Sequence, residues 1–130
     1  MSDYVCPLDY RYGREEMKSI FSETSRINYQ MKVEAALARA HATLGEISQA
    51  DADEITRVAE SGDVKVERIK EIEKLTNHDL MAMVKAMTEQ CKGDAGKYVH
   101  LGATSNDIVD TATAMQIRDA LALVAEDVDE

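Results

Sequence analysis

The chain has 130 residues, 45% of them hydrophobic, enough for a single folded unit with a core, because a domain of this size buries roughly two thirds of the surface its unfolded chain exposes. Fifteen basic residues against 25 acidic ones leave a formal charge of −10 with no basic cluster standing apart, which argues against nucleic acid and against anionic membrane surfaces as partners. No apolar run approaches the roughly 20 residues that span a bilayer, and the abundance of Ala, Met, Glu and Lys beside one Phe and no Trp points to an all-α fold.

The opening stretch to Tyr12 contains the sole proline, Pro7, and has no helical period, so it is expected to cross a surface in extended form. It also lacks the basic and apolar regions of a secretory signal, which makes the cytoplasm the expected location. Cys6 and Cys91 lie far apart without a CxxC or a neighbouring His pair, and are read as ordinary thiols. Gly13 introduces a short helix through Met17 and Phe21. From about Ser25 to Leu44, the positions Ile27, Met31, Ala35, Ala38 and Ala42 form a narrow, Ala-rich helical stripe that a neighbouring helix can approach closely. Gly45 supplies a left-handed stop. His41, near the end of this helix, is read as a packed or half-exposed side chain rather than a ligand.

A shorter helix is expected from about Gln49 to Glu60, ending at Ser61-Gly62, with Asp63 capping the next. That one carries Val66, Ile69 and Ile72 and fades near Leu75. Thr76-Asn77-His78-Asp79 reads as a new helix start that approximates a capping box, followed by a buried face of Leu80, Val84, Met87 and Cys91. Met81, Met83 and Met87 are read as a core or interface stripe. Gly93 and Gly96 bracket a break. Lys97 to Ala103 has no helical period and could include an extended piece at Tyr98 and Val99. Thr104-Ser105-Asn106-Asp107 repeats the cap chemistry of Thr76 to Asp79. The last helix presents Ile117, Leu121, Val124 and Val128 at four, three and four, the spacing of a bundle seam. It ends in acidic residues without a stop signal, so the expectation is a chain cut inside a helix.

The two capped starts are the chemically informative places, because the first turn of a helix offers unpaired N–H groups and the positive end of its dipole to an anion. His78 adds a ring donor at one, and Thr104, Ser105 and Asn106 add hydroxyls and an amide at the other. The alternative is that these residues only cap. Asp107 and Asp110, which share a face, are read as cap and solvent. There is no GxGxxG, Walker, HExxH or GxSxG motif.

Four segments carry a family resemblance: Pro7-Leu-Asp-Tyr-Arg-Tyr-Gly13, Glu34-Ala-Ala-Leu-Ala-Arg-Ala-His41, Thr76-Asn-His-Asp79, and Tyr98-Val-His-Leu-Gly-Ala-Thr-Ser-Asn-Asp-Ile-Val-Asp-Thr-Ala112. In this order they resemble the N-terminal part of the adenylosuccinate lyases, in the fumarase/aspartase superfamily. The resemblance implies an all-α N-terminal helical domain over residues 1–104 and the beginning of a long helical bundle over 105–130. It implies a β-elimination that splits adenylosuccinate to AMP and fumarate, and likewise the succinyl-carboxamide ribotide of purine biosynthesis, with no metal or organic cofactor. Arg11 and Tyr12 match a pair that contacts the nucleotide. His78 and Asp79 match a segment where the His orients substrate. Thr104 and Ser105 match a pair suited to the succinyl carboxylate, and His100 a possible site-lining His. Asn77 stands where many relatives carry Arg. The general acid and base of the family lie in later segments, and its sites are assembled in a homotetramer. The 130 residues alone are therefore expected to be inactive and to self-associate. A non-catalytic helical interaction module is the competing reading.

Overall fold

The computed structural model describes residues 12–129, and every described element is helical. Helix α1 spans Glu15–Ile20, α2 Glu23–Thr43, α3 Gln49–Ser61, α4 Val66–Thr76, α5 Asp79–Gln90 and α6 Ser105–Asp129, with a 3-10 turn at Ala95–Tyr98 between the last two. The expectations for Arg11, Cys6 and Pro7 fall outside the described residues.

Helix α2 is the organising element. Ser22 caps it by accepting the Ser25 N–H at 3.2 Å, and Gly45, at φ +74°, turns the chain away from its far end. Its small residues let α3 pack most extensively against it, and it also touches α6, α1 and α4. Buried Ile27, Met31, Ala35 and Ala38 are the expected stripe. They meet Ile55 and Val58 of α3, Ile69 and Ile72 of α4, and Leu80, Met83 and Met87 of α5 in one core. Burying each large apolar side chain stabilises the fold by about 1.5–3 kcal/mol, so Met83 and Met87, both fully buried, are core residues, with Met81 packed partly buried against them.

Two helix starts are placed differently from the expectation. Asp63 does not cap α4: that helix begins at Val66 with Lys65 in the cap position, and Lys65 Nζ donates back to the Gly62 carbonyl at 2.6 Å. Thr76 does not cap α5 either. It is the last residue of α4, its hydroxyl turned back to the Ile72 carbonyl at 3.2 Å. Two residues separate the helices: Asn77, left-handed at φ 50°, ends the first, and His78 caps the second. The physical reason is that Asn tolerates the left-handed region at little strain, so a two-residue link suffices.

The segment expected to be extended near Tyr98 is the 3-10 turn, with Val99 adopting extended backbone after it. Cys91 is half-buried and its thiol is pushed up to about 11, chiefly by burial, which leaves it in the inert thiol form. On α6, Ile117, Leu121, Val124 and Val128 are 48%, 60%, 46% and 77% exposed, so the seam has no cover among the described residues. No helix among those residues is long and apolar enough to cross a membrane.

Candidate functional site

The starts of α5 and α6 lie together. His78, at the cap of α5 with extended backbone, accepts the Met81 N–H on Nδ1 at 3.3 Å. A ring nitrogen that accepts cannot carry the proton, so in the neutral imidazole the hydrogen is on Nε2. Nε2 in turn lies 3.4 Å from Ser105 Oγ. That is long for a hydrogen bond and describes two groups adjacent to one space. The His78 ring thus presents an N–H donor beside a hydroxyl, at two helix beginnings whose free amides favour negative charge.

Neighbouring residues complete the two turns. Asp79 accepts the Leu80 N–H on Oδ1 at 2.7 Å. Asp107 accepts the Thr104 N–H on Oδ2 at 2.9 Å, and its own N–H donates to the Thr104 carbonyl at 3.1 Å. This is the carboxylate half of a capping box, so Asp107 caps as expected while Asp110 faces solvent. Thr104, Asn77 and Asp79 are exposed beside Ser105 and His78. Tyr12 is exposed, and Arg11 lies outside the described residues.

His100 is held differently. It occupies the left-handed region at φ 66°; its backbone N–H donates to Glu34 Oε2 at 3.0 Å and its Nδ1 lies 2.6 Å from Glu34 Oε1. Glu34 is only 1% exposed. Burial pushes its carboxyl upward, against the pull of the His100 hydrogen bonds. Seven residues along the same helix, His41 contacts Glu46 through Nδ1 and the Leu101 carbonyl through Nε2 at 2.9 Å. Both partners are acceptors, an arrangement that favours the doubly protonated ring; the Glu46 carboxylate holds its pKa above the usual histidine value, reinforced by the carbonyl. Glu34 and His41, two turns apart on α2, therefore grip consecutive residues, His100 and Leu101, of the loop that delivers Ser105.

Neither residue's role is visible from short motifs. A signal for Glu34 exists nonetheless: Ile27, Met31, Glu34 and Ala38 run at four, three and four, which puts a carboxylate inside an apolar seam. Surface grooves border these turns. One of about 460 Å³ is lined by Lys70, Glu73, Lys74 and Asn77, one of about 300 Å³ lies between Leu37 and the α6 start at Ala103 and Asp107, and one of about 370 Å³ runs between α2, α3 and α6 beside Arg39, Glu60 and Met115. None of the three is lined by His78 or Ser105. No group of three or more His, Cys, Asp or Glu among the described residues is arranged to hold a metal ion.

Known proteins share this arrangement of sequence. A family model described as lyase matches residues 9–130. Over 97% of its length the chain is 54% identical to the adenylosuccinate lyase of Pyrococcus abyssi, and over 94% it is 49% identical to that of Methanocaldococcus jannaschii. It spans 28% and 26% of those relatives' own lengths. Among solved structures, the β-carboxy-cis,cis-muconate cycloisomerase of Acinetobacter calcoaceticus superposes with a TM-score of 0.84 at 34% identity, over 94% of this chain and 30% of that one. A helical fold with similar neighbours, and a family match that runs through nearly all of the sequence, lead to one conclusion: the chain belongs to the lyase family.

Proposed function

We propose that this chain is the N-terminal part of an adenylosuccinate lyase, which splits adenylosuccinate to AMP and fumarate, and the succinyl-carboxamide ribotide analogue, in purine biosynthesis in the cytoplasm. The observation that carries the reading is the 3.4 Å approach of His78 Nε2 to Ser105 Oγ, two groups 27 residues apart that the resemblance independently assigns to one substrate.

In a β-elimination a base removes the proton beside a carboxylate, electrons move to form the new double bond, and an acid protonates the nitrogen as the C–N bond breaks. Negative charge builds on the carboxylate, so fixed donors there lower the barrier. Ser105 and Thr104, with the amides of the α6 start, suit that carboxylate. His78, protonated on Nε2, is a donor that orients the substrate, with Asp79 and Asn77 beside it. Arg11 and Tyr12 suit the nucleotide, Arg11 through the forked donors that match a phosphate. No cofactor has a role in this chemistry. The acid and base come from outside these 130 residues, so the chain by itself does not turn over. Residues 1–104 form the first domain and 105–130 the opening turns of a bundle that assembles a homotetramer through the exposed α6 seam.

The competing interaction-module reading rests on that seam, but it gives no reason for His78 and Ser105 to meet. Titration of the 15N-labelled chain with millimolar adenylosuccinate decides between them. Shifts concentrated at His78, Asp79, Thr104 and Ser105, with no rise in fumarate absorbance, are expected. Shifts elsewhere, or none, would sink the assignment.

A further inference from the structure

Glu34 has no packing reason to be where it is. It occupies a seam position flanked by buried Met31, Ala35 and Ala38, where an apolar side chain would fill the space without the penalty of burying a carboxylate. Both of its oxygens are used, and by one residue: Oε2 accepts the His100 backbone N–H at 3.0 Å and Oε1 faces His100 Nδ1 at 2.6 Å.

The backbone contact alone does not explain the pair. If the loop needed only a left-handed residue at position 100, glycine would provide it without strain, as Gly102 does two residues later at φ +71°. A histidine there is strained by roughly 1–3 kcal/mol, so the ring itself is what the arrangement keeps. Its side chain is 12% exposed. With Nδ1 committed to the carboxylate, Nε2 is the nitrogen left for a ligand. The ring stands five residues before Ser105, on the loop whose next residue, Leu101, is held by His41 through its carbonyl.

We propose that Glu34 is a positioning residue: its buried carboxylate fixes the His100 imidazole with the proton on Nδ1 and leaves Nε2 as the ring nitrogen available to substrate. The substrate clause rests on the lyase reading; the fixing of the ring does not. Carboxylate and ring then work as a unit, the carboxylate orienting the imidazole and raising the basicity of the nitrogen it does not touch. His78 is the opposite case, with Nδ1 accepting and the proton on Nε2, so the two histidines carry complementary groups: an N–H on His78 Nε2 and a lone pair on His100 Nε2.

The test is a long-range 1H–15N correlation spectrum of the full chain labelled at histidine, recorded at mildly alkaline pH where neutral rings show their tautomers. In the native chain the proton of His100 is expected on Nδ1 with a preference of at least about tenfold, as a hydrogen bond to a charged group implies, while His78 shows the reverse. Glu34→Gln, which retains volume but offers one acceptor in place of two, should abolish the His100 preference and leave His78 unchanged. A native His100 protonated on Nε2, or a Glu34→Gln chain whose His100 keeps its Nδ1 proton, overturns the proposal. If the variant fails to fold, the native spectrum decides by itself. Adenylosuccinate that leaves both rings unmoved would count against the lyase reading, whereas the tautomers are read without any ligand.

Discussion

Ser105 Oγ lies 3.4 Å from Nε2 of His78, joining the first turns of two helices that are 27 residues apart in the chain. One side chain thereby has two duties. The Nδ1 edge of His78 serves its own helix by accepting the Met81 N–H, and the Nε2 edge faces Ser105. Substitutions can separate the two.

His78→Ala removes both edges and should lower stability by about 0.5–1 kcal/mol, the lower part of the range for losing a cap because the bond it breaks is long. His78→Asn restores a capping oxygen and should return most of that stability without restoring the ring. Urea unfolding measures the first effect. The response of Ser105 to adenylosuccinate measures the second, and it is expected to vanish in both variants. Equal stability loss in both would mean that the ring is not acting as a cap.

His41 links the end of α2, Glu46 and the Leu101 carbonyl, and Glu46 raises its pKa above the ordinary 6.5. A folded pKa above the unfolded one means the native state holds its proton more tightly, so this contribution is complete below the unfolded value and fades as pH climbs through the folded one. Melting temperatures of the native chain and of His41→Gln should therefore differ most below pH 6.5 and converge as pH rises beyond it. A gap that stays constant, or widens with pH, would show that the bridge is not charged.

The seam of α6 makes a different prediction. Ile117, Leu121, Val124 and Val128 align on one exposed stripe, and an apolar surface of this kind on a long helix drives association. Replacing Leu121 and Val124 together by Glu should weaken self-association at least about tenfold, roughly 1.4 kcal/mol, while the monomer's stability changes by only about 0.5 kcal/mol. Sedimentation velocity over a range of concentrations reads the first and chemical denaturation the second. A chain that is monomeric at every concentration before substitution would remove the basis of the prediction.

Helical content and most of the core were legible in the residues themselves, because Ile27, Met31, Ala35 and Ala38, or Leu80, Val84 and Met87, repeat at the helical period wherever the chain is placed. The boundaries were less so. Asp63 and Thr76 have the right chemistry to cap, yet Lys65 and His78 hold those positions, since cap identity depends on where the preceding helix releases the chain. Glu34 was missed in turn because its partner is 66 residues away, and no local pattern around it names a histidine at that distance.

The amino-acid order by itself determined that this is an all-helical member of the lyase family, that α6 carries an apolar seam, and that two polar helix beginnings hold the candidate chemistry; each of these is a local pattern or a short motif. Only the tertiary structure decided that His78 meets Ser105 and that Glu34 grips His100. Both contacts cross long stretches of chain, and their geometry depends on how α2 packs against its neighbours, which no local periodicity specifies.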